Sequence, residues 1–262
     1  MDEAGPLIFE SQTELRDPIL IQGYGGWNDG GESASVALRH LLSTFPSRPL
    51  ARIEVEEFVD FTVARPEIQL SEDGSREVVW PDHKFVAVSL EGAAHDLILG
   101  LGIEPHLRWK AYAREVSELV RRTGTRLVVF MGAFLADVIY SQPIEVQAYT
   151  SGPVFSSALD GLRSRYEGPT GILGVLADRL RREGIPTLSL WAGLPHYVTA
   201  GPNSRGALAL LQRLEELTQF PLDLEGLEQS ASEYDEKVSA LISDDPQLSA
   251  YVRELKRRAF SQ

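Results

Sequence analysis

Between residues 166 and 198 the chain reads turn, helix, turn and buried strand, YEGPTGILGVLADRLRREGIPTLSLWAGLPHYV, and this order restricts the fold more than any other stretch. Residues 187–194 form a short, mostly apolar run between Pro186 and Pro195. Such a run suits a central strand covered on both faces. His196 and Tyr197 follow at once, on the carboxyl side of the strand, where open α/β sheets place their binding crevice.

The same alternation extends over most of the chain. Residues 18–22 predict a strand running into the glycine-rich turn Gly23-Tyr24-Gly25-Gly26-Trp27-Asn28-Asp29-Gly30-Gly31, and residues 31–43 a helix with Ala34, Ala37, Leu38, Leu41 and Leu42 on one face. Residues 51–58 alternate apolar and charged positions, as a strand toward a sheet edge does. Residues 60–84 leave the layer pattern: 67–70 and 76–80 flank Ser71-Glu72-Asp73-Gly74-Ser75, a hairpin loop. Further strands are predicted at 85–90, 126–131 and 144–149. Helices are predicted at 105–122, around 154–163, and at 204–218, where Asn203 serves as N-cap. Six or seven strands alternating with helices make a three-layer αβα sandwich, and the hairpin and edge strand favour a mixed central sheet.

Beyond Pro221 the texture changes. Leu224, Leu227, Ala231, Tyr234, Val238 and Leu241 step by three and four, a coiled-coil seam, and residues 246–259 offer Leu248, Val252, Leu255 and Ala259 on one face of a second helix. The expected organisation is thus an αβα core over 1–220 and a C-terminal helical hairpin over 221–262. The hairpin packs on the core or on a neighbouring subunit.

Composition narrows the function classes. No apolar run approaches the roughly 20 residues of a membrane helix, and the amino terminus MDEAGPLIFE is acidic where a secretory signal would be basic and then apolar. Zero cysteines remove disulfides, thiolate catalysis and thiolate metal sites. A net charge of −13 argues against a nucleic-acid or anionic-membrane partner for the whole molecule. A cytoplasmic location is expected.

Three groups of residues carry candidate chemistry. The turn at 23–31, with Gly25, Gly26, Asn28 and Asp29, joins a strand to a helix, a setting in which helix amides can hold an anion. It lacks the third glycine of a dinucleotide fingerprint and the lysine of a phosphate loop. Asp29 as N-cap, with Glu32 three residues on, reads equally as a capping box. Glu167-Gly168-Pro169-Thr170-Gly171 is a second turn into a helix whose amides could take an anion, or simply a rigid connection, with Gly168 and Thr170 as the ligand-facing positions. His196 would act as base or ligand given an orienting acid, for which Asp137, Glu167 and Asp29 are candidates, with Tyr197 beside it as a further ligand contact. A structural histidine in a strand-to-loop corner is the competing reading. His40, His83, His95 and His106 have no partner pattern. No paired-histidine spacing suggests zinc, and no G-x-S-x-G elbow suggests a serine hydrolase. No cofactor or metal is expected.

These landmarks occur together in one known setting. Gly26-Trp27-Asn28-Asp29, Arg65-Pro66, Trp80-Pro81, Gly132-Ala133 through Ala136-Asp137, residues 166–171, Gly184-Ile185-Pro186, Ser189-Leu190-Trp191 through Pro195-His196-Tyr197-Val198, and Pro202-Asn203 give a chain that resembles the proteasome assembly chaperone two family, particularly its actinobacterial-type members. The resemblance implies a phosphorylase/hydrolase-like αβα fold and self-association, with trimers among the forms. In archaeal and eukaryotic relatives it implies a chaperone role in assembling the proteasome core. Proteasome subunits are therefore the protein partner to which it points. Some proteasome-binding relatives end in a hydrophobic-Tyr-any tail; this chain ends Phe260-Ser261-Gln262, with Ser in the place of Tyr. The sequence thus leads to a non-catalytic, self-associating protein-binding protein. The alternative is a small-molecule binder or a hydrolase- or phosphorylase-like enzyme using the strand-end crevice near Asp29, Asp137 and His196.

Overall fold

Four parallel strands form the centre of the sheet in the computed structural model, which describes residues 5–71, 73–90, 92–151, 164 and 166–259. In chain order the strands are β1 (Leu7–Phe9), β2 (Ile19–Gly25), β3 (Ser47–Ile53), β4 (Glu67–Leu70), β5 (Arg76–Val79), β6 (His83–Val88), β7 (Leu97–Ile103), β8 (Leu127–Ala136), β9 (Val146–Thr150) and β10 (Thr187–Pro195). The main sheet has eight strands in the order β1-β3-β6-β7-β2-β8-β10-β9. β7, β2, β8 and β10 run parallel, and antiparallel strands flank them on both sides. β4 and β5 pair with each other in a separate two-stranded sheet.

Helices α1 (Ser33–Thr44), α2 (Trp109–Arg122), α3 (Ile172–Arg182) and α4 (Ser204–Thr218) supply the outer layers. Their apolar stripes account for the arrangement. Ala34, Leu38 and Leu41 of α1 and Ala207, Leu210 and Leu214 of α4 pack on Ile21, Val129 and Leu190 on one face of the sheet. Tyr112, Val116 and Leu119 of α2 and Leu173, Leu176 and Leu180 of α3 pack on Leu20, Val128 and Phe130 on the other. The result is the three-layer αβα sandwich with a mixed sheet that the sequence predicts.

The differences are local and have physical causes. The third strand begins earlier than the alternation suggests, at Ser47. β1 and β7 are strands of the main sheet that the sequence reading passes over, β7 because Gly100 and Gly102 interrupt its β-like pattern. The glycines are required by neighbours: a Cβ at Gly100 would fall 2.1 Å from Gln22 Oε1, and one at Gly102 would fall 2.9 Å from the His83 side chain. Asn203 caps α4, its Oδ1 accepting from Gly206 N at 2.9 Å. The helix expected around 154–163 and the terminal residues 260–262 lie outside the described residues.

The C-terminal hairpin consists of α5 (Glu225–Asp244) and α6 (Pro246–Ala259). Its seam, Leu227, Ala231, Tyr234, Val238 and Ile242, is buried within the chain. Ile242 takes the inward position that the heptad count gives to Leu241, which stays exposed. Tyr234, Val238, Val252 and Leu255 enclose Ile139 and Tyr197, just past the ends of β8 and β10. Of the two packings that the sequence left open, the seam takes the intramolecular one.

Candidate functional site

The carboxyl ends of β7, β2, β8 and β10 share one edge, and most of the candidate residues gather there in three clusters. The first lies where β2 gives way to α1. β2 pairs with β8 only as far as Gln22 and with β7 as far as Gly25. The loop from Gly26 then enters the gap, where Ala133 N donates to Asn28 O at 2.9 Å. Gly26 has a φ of +123°, which suits glycine. The expected capping box does not form. Gly31 and Glu32 both adopt left-handed backbone, which breaks the helix before Ser33. The Asp29 carboxylate reaches forward, accepting from Ala34 N at 2.7 Å and Ser35 N at 3.2 Å, while Glu32 pairs with Arg39 at 3.2 Å. Burial pushes the Asp29 carboxyl up from its ordinary range, and its hydrogen bonds from Ser35 and Ala34 oppose this.

The second cluster lies at the start of α3. Glu104, which immediately follows β7, accepts at Oε1 from Ile172 N at 2.8 Å and from Asn28 Nδ2 at 2.7 Å. Asn28 is buried and its Oδ1 has no partner among the described residues. A Cβ at Gly171 would fall 2.2 Å from that oxygen, so the contact closes the space between them. Gly168 and Thr170 are exposed, and Tyr166 OH folds back to donate to Pro169 O at 2.9 Å. At both helix starts, amides that could receive an external anion are thus bound by a carboxylate of the chain itself. Gly25 and Gly26 serve the backbone path beside them.

The third cluster is the corner after β10. His196 Nε2 lies 2.8 Å from Asp137 Oδ1 and 3.0 Å from Tyr251 OH, and that hydroxyl donates to Asp137 Oδ1 at 3.2 Å. Of the three acids considered for His196, the structure brings up Asp137; Asp29 is engaged by α1, and Glu167 makes no ion pair among the described residues. Tyr197 OH donates to Val138 O at 3.0 Å and accepts from Tyr140 N at 2.9 Å, so it pins the loop after β8. Burial raises its phenol above the ordinary value.

Between that loop and the ends of β8 and β10 lies a cavity of about 220 Å³, lined by Phe134, Val138, Tyr140, Pro143, Ile144 and Pro195 among others, with Gln142, Glu145 and Gln147 as its polar members. His196 and Asp137 are not on its wall. An open groove of about 1110 Å³ lies elsewhere, alongside residues 7–15 and Arg122, away from every strand-end candidate.

Sequence reasoning missed a buried relay behind this edge. Gln22 Nε2 donates to His83 Nε2 at 2.9 Å, which leaves the ring proton on Nδ1, facing Tyr112 OH; Tyr112 OH donates in turn to Tyr24 OH at 3.1 Å. All four residues are buried. Burial pulls His83 down to about 3 and pushes both phenols up. His83 is therefore a neutral framework group that ties β2, β6 and α2 together. Glu104 and Tyr251 were also missed, the first because β7 was not seen and the second because α6 reads as amphipathic whether or not its tyrosine bonds to the core. Among the described residues no cluster of acidic or histidine side chains could hold a metal ion, and no helix is long and apolar enough to cross a membrane.

Fold and edge together define an αβα protein whose strand-end polar groups are bound to one another. A sequence profile of the PAC2 family matches residues 24–242, and the chain belongs to that family. A PAC2 family protein from Streptomyces avermitilis is similar to it at 35% identity, with a TM-score of 0.81 over 90% of this chain and 100% of the other. A proteasome-assembly chaperone homologue from Mycobacterium tuberculosis is 31% identical, with a TM-score of 0.80 over 89% of this chain and 99% of that one. PbaB, an archaeal proteasome activator from Pyrococcus furiosus, shares the fold at 19% identity, with a TM-score of 0.72 over 90% of this chain and 97% of the other. A search of curated proteins finds no match.

Proposed function

We propose that this chain is a non-catalytic, self-associating protein of the proteasome-assembly-chaperone type, working in the cytoplasm and binding other proteins through the carboxyl edge of its sheet. The observation that carries the reading is the state of that edge. Its helix-start amides are bound by Asp29 and Glu104, Tyr197 is spent on the loop after β8, and His196 is held by Asp137 and Tyr251. Beside these groups the edge exposes large apolar side chains, Trp27, Leu107 and Leu135, with the ring of Tyr166. Large exposed apolar side chains grouped on one face suit protein recognition better than turnover of a small polar substrate. The 31% identity to a proteasome-assembly chaperone homologue supports the choice of partner.

The test is to mix the purified chain with the separately purified α and β subunits of the host's proteasome core and follow assembly on native gels. The chain should co-migrate with assembly intermediates and speed the appearance of the mature particle. Unchanged assembly with no co-migrating complex would remove the proteasome part of the reading.

A further inference from the structure

The arm formed by β4 and β5 is amphipathic by register. Ile68 pairs with Val78 and Leu70 with Arg76, so these four side chains share a face, and the polar Glu67, Gln69 and Glu77 share the other with Val79. Pro66 and Trp80 continue the first face toward the base of the arm, where Trp80 meets Phe61 edge to face at 5.0 Å. Every residue of both strands is exposed: Ile68 by 53%, Leu70 by 74% and Val78 by 51%, with Trp80 at 54%. A lone two-stranded hairpin is marginal in water, and its apolar face needs a cover to hold its shape.

The position of the arm suggests what covers it. It rises between the end of β3 and the start of β6, where Ile53 pairs with His83 and His83 with Gly102 of β7. It therefore leaves the sheet at the same carboxyl edge that exposes Trp27 by 64% and Leu135 by 57%. One chain thus carries a projecting apolar face and an uncovered apolar edge. The charge on the docking face is complementary as well. Arg76, on the same face as Ile68 and Val78, makes no ion pair among the described residues, and neither does Glu167 on the edge; Glu104 uses only its Oε1 internally. A contact joining two different patches repeats head to tail, and if the rotation closes it forms a ring in which every arm and every edge is covered.

We propose that the β4–β5 arm of one copy docks by its Ile68/Leu70/Val78/Trp80 face on the Trp27/Leu107/Leu135 edge of a second copy, with Arg76 toward the Glu104 and Glu167 carboxylates. The inference rests on the self-association in the reading above and names its contact. C-terminal seam residues play no part in it, since they are buried on their own core.

Two variants of the full chain test this, both altered only at exposed positions so that folding, checked by circular dichroism and thermal unfolding, is retained. One carries Ile68→Asp with Val78→Asp, the other Trp27→Asp with Leu135→Asp. Sedimentation velocity should show an oligomer for the unaltered chain and a shift of each variant to monomer, with apparent affinity weakened more than tenfold. The mixture is decisive. An arm-defective copy keeps a sound edge and an edge-defective copy keeps a sound arm, so mixing the two should produce a heterodimer and nothing larger. A monomeric unaltered chain at every concentration would overturn self-association itself. An oligomer that both variants leave intact, or variant monomers that do not complement, would overturn the arm-to-edge contact alone.

Discussion

His83 shows how a residue with no motif around it can govern the behaviour of the molecule. It sits in the sheet between Gln22 and Tyr112 and is fully buried, which pulls its pKa to about 3 against about 6.5 in an unfolded chain. Above the unfolded value both states are neutral and pH has no effect through this group. Below it only the unfolded chain takes up the proton, so stability falls as pH falls, by about 1.4 kcal/mol per unit until the folded value is reached. In His83→Gln, where the side chain can still meet Gln22 or Tyr112 but does not titrate, this part of the decline disappears. Urea midpoints measured from pH 6.5 down to pH 4 should therefore fall less steeply for the variant, whatever its stability at neutral pH. Equal slopes would mean that His83 is protonated in the folded state and that the relay is wetter than described. Nothing in the spacing around His83 points to this role; it follows from Gln22 and Tyr112 arriving from β2 and α2, and only tertiary pairing brings them there.

At the scale of elements, the question is what holds α5 and α6 to the sandwich. Val238 is buried against the cluster of Ile139, Tyr197 and Tyr234 at the end of β8 and β10. Arg205 lines the same pocket as Val238, but it is already bound to Asp235 and to the Tyr140 and Gln142 carbonyls, so Val238→Asp should cost on the order of 3–5 kcal/mol, the scale of a poorly compensated buried charge. Because the hairpin joins the sandwich through the linker after α4, the expected result is release of the hairpin with the sandwich intact. Limited proteolysis should cut the variant near residues 219–224 and leave a stable core fragment. A variant that unfolds in one step with the sandwich would show that 221–259 is an integral part of the core. The sequence made this hairpin legible through its three-four seam, and it made the strands of the parallel centre legible through their apolar runs. It hid β7, whose Gly100 and Gly102 are small because Gln22, Phe85 and His83 lean over them. With β7 went Glu104, the residue that occupies the start of α3. The candidate site was legible as a place for the same reason: strand ends can be counted from apolar runs, whereas whether Asp29 and Glu104 turn inward to bind amides depends on left-handed backbone at Gly31 and Glu32 and on the approach of α3. Asp137 beside His196 could be guessed from strand order, and Tyr251, arriving from a helix 55 residues later, could not.

For the whole molecule the governing quantity is charge. Each copy carries a net −13, so copies repel at long range, and any contact between them must overcome that repulsion. The proposed arm-to-edge contact is chiefly apolar, with a minority of ion pairing from Arg76, and burial of apolar area is little affected by moderate salt. Screening acts instead on the repulsion, whose reach shrinks from roughly 30 Å at about 0.01 M salt to roughly 8 Å at about 0.15 M. Self-association should accordingly strengthen by a factor of several over this range, as read by sedimentation equilibrium at fixed pH. An interface built mainly on ion pairs has the opposite dependence, because salt weakens the attraction that holds it. If the measured affinity falls as salt rises, the Arg76 contacts dominate and the apolar face of the arm is a minor element of the interface. A rise that Arg76→Glu leaves nearly unchanged, while Ile68→Asp with Val78→Asp abolishes association, would place the binding energy in the apolar face of the arm.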